Sequence, residues 1–356
     1  MKRRVFAIFM AVVMVVGMTA CGGGESAKTS APKTDGASQS GGSDEVIHLR
    51  LGSAGAADFF PNIEIQTACD EVAEKTNGKL VIDFYPNNEL GDYTDMFQEL
   101  MYGSLDMGMF ASPTSYDERL GIIYLPYLIT DYDKFSLVCG VGGAIFDYYG
   151  GILEENNIRL LGMMTEGLHG IGMNKIDDIS IVKDASAKKK DLIRTPPIDV
   201  SRYTAEALGY NAVQINFTDL YSSLQTGVCD GWIGGPAEVN YVSFRDVINY
   251  FIDGRYSAEI MGIMINTEVF DKLPEEYQKV LTEAFSAAGE RSVIRCAEVE
   301  ENARQKLRDY GIEVIEYTDE EREASAEIVR NEVYPKLADI YGEEAINNIL
   351  SALEEN

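Results

Sequence analysis

A single arginine within a short apolar segment is the residue best suited to ligand chemistry. Arg194 lies in segment 191–196, which is typical of a buried strand, and Pro196 and Pro197 then end that strand. A planar guanidinium donates paired hydrogen bonds to a carboxylate. Because ligands of open α/β sheets bind at the carboxyl ends of strands, the segment predicts a ligand site at this arginine, whose charge suits an anion. A structural salt bridge is the alternative.

The residues around this arginine form a strand–helix repeat that would hold it in place. A helix is predicted at about 201–208, followed by a second helix that begins near Thr218, a plausible cap, and ends at Gly227. Gly227 suits the left-handed conformation that ends many helices. A further strand is predicted at 229–233. The three lysines of 188–190, just before the repeat, are interpreted as part of a solvated loop.

Strands and helices alternate along the rest of the chain, which predicts an α/β fold. The N-terminal part alternates between them at 48–54, 63–76, 79–85, 94–102 and 105–110. This order indicates a parallel, doubly wound sheet. Segment 122–129 contains Pro126 and is expected to cross the surface of a lobe. A strand at 260–265 and a helix from Pro274 to about Tyr310 follow, and that helix is long enough to touch two lobes.

Composition narrows the class of function. The 356 residues suffice for two domains, and 58 acidic residues against 30 basic ones give a net charge of −28. Such acidity argues against nucleic-acid binding, and an anionic ligand would need a local positive site. With only two histidines and no nucleophile elbow, zinc-protease motif or phosphate loop, no cofactor is expected and a secreted hydrolase is an unlikely alternative.

Cysteine spacing predicts no metal site. The four cysteines that follow Cys21 are far apart in sequence and have no neighbouring histidine pair. Buried free thiols are the favoured interpretation, with disulfide pairing left open. These four residues are Cys69, Cys139, Cys229 and Cys296.

The N-terminus has the pattern of an export signal. A basic start precedes an apolar stretch at 5–16 that is too short to cross a membrane, and the letters MTAC at its end resemble a lipobox. Residues 1–20 are therefore predicted to be a lipoprotein signal peptide and Cys21 the lipidated residue, with an ordinary secretory signal as the alternative. Residues 21–45, rich in Gly, Ser and Ala, are predicted to be a flexible linker.

Six motifs, in order along the exported part of the chain, carry a family resemblance. They are NELGD at 88–92, GSLDMG at 103–108, LPY at 125–127, DLIRTP at 191–196, FTDLYSSLQTGVCDG at 217–231 and LPEE at 273–276. The set resembles the solute-binding proteins of tripartite ATP-independent periplasmic (TRAP) transporters, of the DctP type.

The resemblance implies a two-lobed fold of the periplasmic-binding-protein type. Two mixed or parallel sheets flanked by helices would enclose a ligand cleft between the lobes, and one long helix would span both. Lobe I would comprise 46–170 with about 260–299, and lobe II 171–259 with about 300–356. The protein would be extracytoplasmic and held at the membrane by its lipid.

The function implied is binding without chemistry. The lobes would close on a small organic acid through its carboxylate, and the receptor would deliver this ligand to the TRAP membrane permease. A receptor that instead presents its closed form to a signalling protein is an open alternative.

Site residues follow from the resemblance, with departures. Arg194 matches the arginine that clamps the ligand carboxylate, and His169 stands where many members have a second arginine. The usual asparagine after 230 is absent, which favours a monocarboxylate over a dicarboxylate. The remaining ligand-binding candidates, each with a packing role as its alternative, are Phe217, Trp232, Ser112, Ser53 and Gly234.

Overall fold

The computed structural model describes residues 46–354. The predicted signal peptide at 1–20, the lipidated Cys21 and the linker at 21–45 lie outside the described residues. The predicted α/β architecture of two sheets with flanking helices is confirmed.

Eleven strands are found within these residues. In chain order they are β1 Ile47–Ser53, β2 Leu80–Tyr85, β3 Met107–Phe110, β4 Ile158–Leu168, β5 Gly170–Met173, β6 Leu192–Thr195, β7 Asn211–Gln214, β8 Gly231–Gly235, β9 Tyr250–Asp253, β10 Ala258–Asn266 and β11 Glu313–Glu316.

The helices alternate with these strands. In chain order they are α1 Phe60–Lys75, α2 Tyr93–Tyr102, α3 Tyr132–Cys139, α4 Ala144–Glu155, α5 Asp199–Ala207, α6 Phe217–Thr226, α7 Ala237–Val239, α8 Thr267–Lys272, α9 Glu275–Tyr310, α10 Asp319–Tyr341 and α11 Glu343–Glu354. Shorter turns of 3-10 helix lie at Glu118–Tyr124 and Ile179–Ile181, and a turn of π-helix at Asn240–Phe244.

The first sheet has the strand order β2-β1-β3-β10-β4. β1 runs parallel to β2 and β3, as the alternation of strands and helices predicted, whereas β10 lies antiparallel between β3 and β4. Leu49 and Leu51 of β1 are buried with the apolar face of α1, which includes Ile65 and Val72. The alternating residues of the strand and the helically spaced residues of α1 thus form one apolar layer between the sheet and the helix.

The second sheet has the strand order β11-β9-β5-β8-β6-β7. β6 runs parallel to both of its neighbours, β7 and β8, so the carboxyl ends of all three strands meet at one edge. β7 and β9 were not predicted, since each has only four residues and a weak pattern. Thr218 is not the cap of α6, because the helix begins one residue earlier and its N-cap is Asn216.

The chain passes between the sheets three times, first at two adjacent crossings and then through α8 and α9, which lead from β10 to β11. β4 of the first sheet leads directly into β5 of the second, and β9 of the second leads through a short turn into β10 of the first. The two adjacent crossings are hydrogen-bonded to each other, since the His169 amide donates to the Ser257 carbonyl and the Tyr256 amide donates to the His169 carbonyl. The long α9 packs on β4 of one sheet and β11 of the other, which confirms the predicted spanning helix.

A buried ion cluster fastens α9 to the two adjacent crossings. Arg304 lies 3.1 Å from a carboxylate oxygen of Asp253, at the end of β9, and 3.7 Å from Glu300 one turn earlier in α9. Glu300 in turn accepts a 2.6 Å hydrogen bond from the Leu168 amide at the end of β4. One face of α9 therefore binds the ends of β4 and β9, where the chain crosses from one sheet to the other.

Two surface predictions were wrong. Segment 122–129 is buried throughout, and the Pro126 carbonyl accepts a hydrogen bond from Tyr334 of α10, which covers the segment. Within 188–190 only the outer lysines are exposed. The Lys189 ammonium is buried and donates to the carbonyls of Leu208, Asp184 and Ala187, so it completes the C-terminal end of α5.

The C-terminal helix, which the resemblance placed in lobe II, packs beside the first sheet. α11 packs against α3 and α4, and α4 lies along β4 of the first sheet. Within residues 46–354 no single helix has the length and hydropathy to cross a membrane. Only the bent pair formed by α3 and α4, inclined at 46°, meets those criteria jointly.

Candidate functional site

A cavity of about 520 Å³ lies at the strand ends of both sheets. The first sheet contributes the ends of β3 and β4 and the start of β10, and the second contributes the carboxyl ends of β6 and β8 and the start of α6. The polar and aromatic side chains that line it include Asp92, Tyr93, Ser112, Thr114, Tyr124, Glu166, His169, Arg194, Phe217, Trp232 and Glu259.

Arg194 brings an uncompensated positive charge into this cavity. Its side chain is only 3% exposed, and its Nε donates a 2.7 Å hydrogen bond to the Ile215 carbonyl. No carboxylate among residues 46–354 forms an ion pair with it. Burial lowers the pKa of Arg194 to about 10, so the guanidinium stays charged at neutral pH. Because buried charges are stable only when paired, the site is arranged for an anion.

An aromatic wall lies beside the guanidinium. The ring of Phe217 is 55% exposed although it is large and apolar, and its centroid lies 6.0 Å from the Arg194 guanidinium carbon. Trp232 is buried behind it, with ring centroids 6.2 Å apart and an indole N–H that donates to Asn240. Gly234 has a φ of 114°, and apart from its chain neighbours no atom of residues 46–354 lies within 4 Å of the place where a Cβ would stand, so a ligand can approach the backbone at this wall. The wall suits an apolar part of a ligand.

His169 lies in the cavity with both ring nitrogens occupied. Nδ1 is 2.8 Å from the Ser257 hydroxyl, and Nε2 is 2.9 Å from a carboxylate oxygen of Glu259. The Tyr124 hydroxyl donates to the other oxygen of Glu259 at 3.2 Å, and its ring stacks on the imidazole. In this arrangement His169 offers a ligand its ring surface rather than a free nitrogen.

Glu166 is the unpaired acid of the site. Its carboxyl forms no hydrogen bond or ion pair with any residue that the structure describes. Burial, together with the nearby Glu259, raises the pKa of Glu166 to about 8.

The two candidate serines have different positions. Ser112 lines the cavity at the end of β3, where its hydroxyl makes a weak 3.6 Å contact with the sulfur of Met264 and also interacts with the Tyr149 hydroxyl. Ser53, at the end of β1, is fully buried and does not line the cavity, because its hydroxyl donates to Asn62 at 2.7 Å. The structure thus brings together every sequence candidate of the site except Ser53.

Sequence reasoning missed the acids and Tyr124. Glu259 is the only charged residue in the apolar β10, and Glu166 stands in the short segment that drew attention for His169 alone. Each acid stands near one end of a largely apolar strand, which is the signal that would have indicated both residues.

Neither metal chemistry nor thiol chemistry is indicated. In the described part of the chain, no group of three or more His, Cys, Asp or Glu side chains is placed to hold a metal ion. The four cysteines downstream of Cys21 are buried and free, as the favoured interpretation expected. Asp92 accepts from the Thr94 amide as the N-cap of α2, which accounts for the acidity at that helix start.

Comparison with known proteins identifies the family. Residues 60–339 match the family described as bacterial extracellular solute-binding protein, family 7 (DctP). The chain belongs to this family. It is therefore an extracytoplasmic binding protein of the TRAP type and not an enzyme, and the hydrolase alternative is set aside.

Individual DctP-family proteins resemble this one along most of their length. The C4-dicarboxylate-binding periplasmic protein DctP of Rhodobacter capsulatus is 26% identical over 294 residues, which cover 80% of this chain and 85% of that protein. A TRAP periplasmic solute-binding protein from Ochrobactrum anthropi, with the C-terminus bound in the ligand-binding pocket, has a TM-score of 0.78 at 21% identity, covering 87% of this chain and 96% of that one.

A third similar protein is known with a bound sugar acid. The sugar acid binding protein of Advenella mimigardefordensis, in complex with galactonate, has a TM-score of 0.76 at 22% identity and covers 87% of this chain and 99% of that one. These structures establish the two-lobed fold of this DctP-family protein.

The single tryptophan should report on occupancy of the cavity. Trp232 is the only tryptophan in the chain and lines the cavity beside Phe217. Because a ligand replaces water against this wall, saturating ligand is expected to change the emission intensity or wavelength of the protein. Trp232→Phe should abolish that signal while calorimetry still detects binding. An emission spectrum unchanged at full occupancy would show that the ligand lies elsewhere.

Proposed function

We propose that this DctP-family protein binds a small organic acid in the cavity and that Arg194 holds the ligand's carboxylate. The observation that carries the proposal is the buried guanidinium with no carboxylate partner among residues 46–354. An Arg–carboxylate pair in such a poorly solvated place is a strong, oriented contact. The names of similar proteins support the same ligand class, since C4-dicarboxylates and galactonate are organic acids.

The other contacts would be divided between the two sheets. Phe217 of α6, together with Trp232 and Gly234 of β8 in the second sheet, would cover the apolar part of the ligand. Ser112 of the first sheet would donate a hydrogen bond, and His169 would contact the ligand at the crossing. The two adjacent crossings would serve as the hinge about which the lobes close, with the boundary between β4 and β5 and again between β9 and β10.

We further propose that the closed receptor delivers its ligand to a TRAP membrane permease. A permease that recognises only the closed form selects the loaded receptor from the mixture. The lipobox-like sequence before Cys21 supports attachment of the receptor to the membrane by a lipid. The Gly-, Ser- and Ala-rich composition of 21–45 supports the proposed linker between that lipid and the binding domain.

Thermal stability of the purified protein in the presence of small molecules tests the ligand class. A ligand present at about 100 times its Kd stabilises the folded state by about 2.7 kcal/mol, which raises the melting temperature. The library should contain organic acids, each paired with its primary amide, together with neutral sugars. We expect shifts with some acids and none with their amides. Shifts with neutral sugars or amides alone would contradict the proposal.

A further inference from the structure

The cavity is lined by three acidic side chains as well as the arginine, and among residues 46–354 two of these acids have partners, since Asp92 accepts from the Thr94 amide. Both oxygens of Glu259 are engaged, one by His169 and the other by Tyr124. Glu166 lines the same space and has no hydrogen-bond or ion-pair partner within 46–354. A purely anionic ligand would satisfy Arg194 and leave Glu166 unmatched in an enclosed site.

The local backbone explains why Glu166 faces the cavity. Along the β4–β10 pairing, Gly167 lies opposite Glu259 and Thr165 opposite Ile260, so Glu166 is the extra residue of a β-bulge. Bulges redirect a side chain and often lie next to binding sites. The bulge depends on glycine, because Gly167 has a φ of 135° and a Cβ there would lie 2.6 Å from Pro236.

We propose that the ligand is zwitterionic, with a carboxylate that pairs with Arg194 and a cationic group, such as an ammonium, that pairs with Glu166. This inference rests on the proposed function, since it assigns a second group to the same ligand. The two protein groups belong to different sheets, so one ligand would bridge them when the lobes close. Glu259 adds negative potential beside Glu166, which disfavours a second carboxylate at that end of the site.

The protonation of Glu166 determines whether ligand affinity rises or falls with pH. The groups that face it are Glu259 from β10 and Cys296 from α9, with His169 and Tyr132 behind them. Burial and Glu259 raise the pKa of Glu166 to about 8, so the free site is largely protonated below that pH.

A cationic ligand group needs the carboxylate form of Glu166. Affinity should therefore rise between about pH 6 and about pH 8, by up to about 50-fold, as the binding-competent fraction grows. A neutral carboxyl that donated to an anionic ligand would give the opposite slope, with affinity falling over the same range.

Matched pairs of ligands test the inference by calorimetry on the purified protein. The probes are L-amino acids and the 2-hydroxy acids with the same carbon skeleton: alanine with lactate, leucine with 2-hydroxy-4-methylpentanoate, and phenylalanine with 3-phenyllactate. Each is titrated at about pH 6 and about pH 8 into the wild type, Glu166→Gln and the control Glu268→Gln. Glu268 is an exposed acid of α8, remote from the cavity lining.

The expected result is that an amino acid binds at least about tenfold more tightly than its hydroxy partner and gains affinity with pH. Glu166→Gln should remove both the preference and most of the pH slope, whereas Glu268→Gln should retain them. A slope that survives in Glu166→Gln would belong to another group and would overturn the assignment to Glu166.

Two other outcomes separate this inference from the proposed function. Hydroxy acids that bind as tightly as amino acids, with Glu166→Gln unchanged, would overturn the zwitterion and leave the carboxylate site standing. Binding of neither series, in a protein that also responds to no acid in the thermal screen, would overturn both.

Discussion

Replacing Arg194 with alanine is expected to weaken binding of the acid ligand by about 30-fold or more. Removing one partner of a buried, hydrogen-bonded charge pair costs about 2–5 kcal/mol of binding free energy, and about 1.4 kcal/mol corresponds to a factor of ten. Arg194→Lys should retain part of the affinity, because an ammonium keeps the charge but loses the bidentate geometry. Calorimetric Kd values for the ligand found by thermal screening provide the measurement.

The stability of the ligand-free Arg194→Ala protein distinguishes a binding role from a structural one. The guanidinium has no ion-pair partner in the described chain, so its loss should leave the free energy of unfolding unchanged or slightly higher. Arg202→Ala is a suitable control, because Arg202 pairs with Asp199 and Glu206 on the surface of α5. Near-native affinity in Arg194→Ala, or a large loss of stability, would refute the assignment.

Arg304→Ala is expected to destabilise the protein by about 3–5 kcal/mol, the usual cost of removing one partner from a buried ion cluster. At the two strand ends where the chain crosses between sheets, the change leaves Glu300 buried without its cation and Asp253 with only a 3.8 Å contact to Arg255. Burial raises the pKa of Glu300, and protonation removes its unpaired charge, so the loss of stability should shrink as the pH falls.

Denaturant unfolding of the ligand-free protein measures this effect. Arg308, one turn further along α9, forms a more exposed pair with Glu316 and provides the control. Arg308→Ala should cost no more than about 1 kcal/mol. An Arg304→Ala protein that is no less stable than Arg308→Ala would show that the cluster does not hold α9 to the crossings.

The sequence predicted those parts of the fold whose cause is local. The repeat around Arg194 was predictable because Pro196 ends a strand and Gly227 ends a helix, and both effects act within a few residues. The span of α9 was predictable for the same reason, since it follows Pro274 and ends at Gly311 with φ of 104°. The position of Arg194 at a strand end could likewise be predicted from its own strand and the turn that follows.

What remained hidden depends on contacts between distant parts of the chain. Glu259 reaches His169 across 90 residues of sequence, and the bulge that exposes Glu166 exists only in the paired strands. Lys189 looked solvated within its lysine run, yet the Leu208 carbonyl at the end of α5 binds it in the interior. Ser53 stands at a strand end, as Ser112 does, but its hydroxyl donates a hydrogen bond to Asn62 of α1.

A crystal structure of the protein with the acid that stabilises it most would test the central claim directly. The account predicts that the ligand's carboxylate lies about 3 Å from the terminal guanidinium nitrogens of Arg194, with its apolar part against Phe217. A carboxylate bound elsewhere in the cavity, with the guanidinium of Arg194 turned toward a protein carboxylate instead, would contradict it.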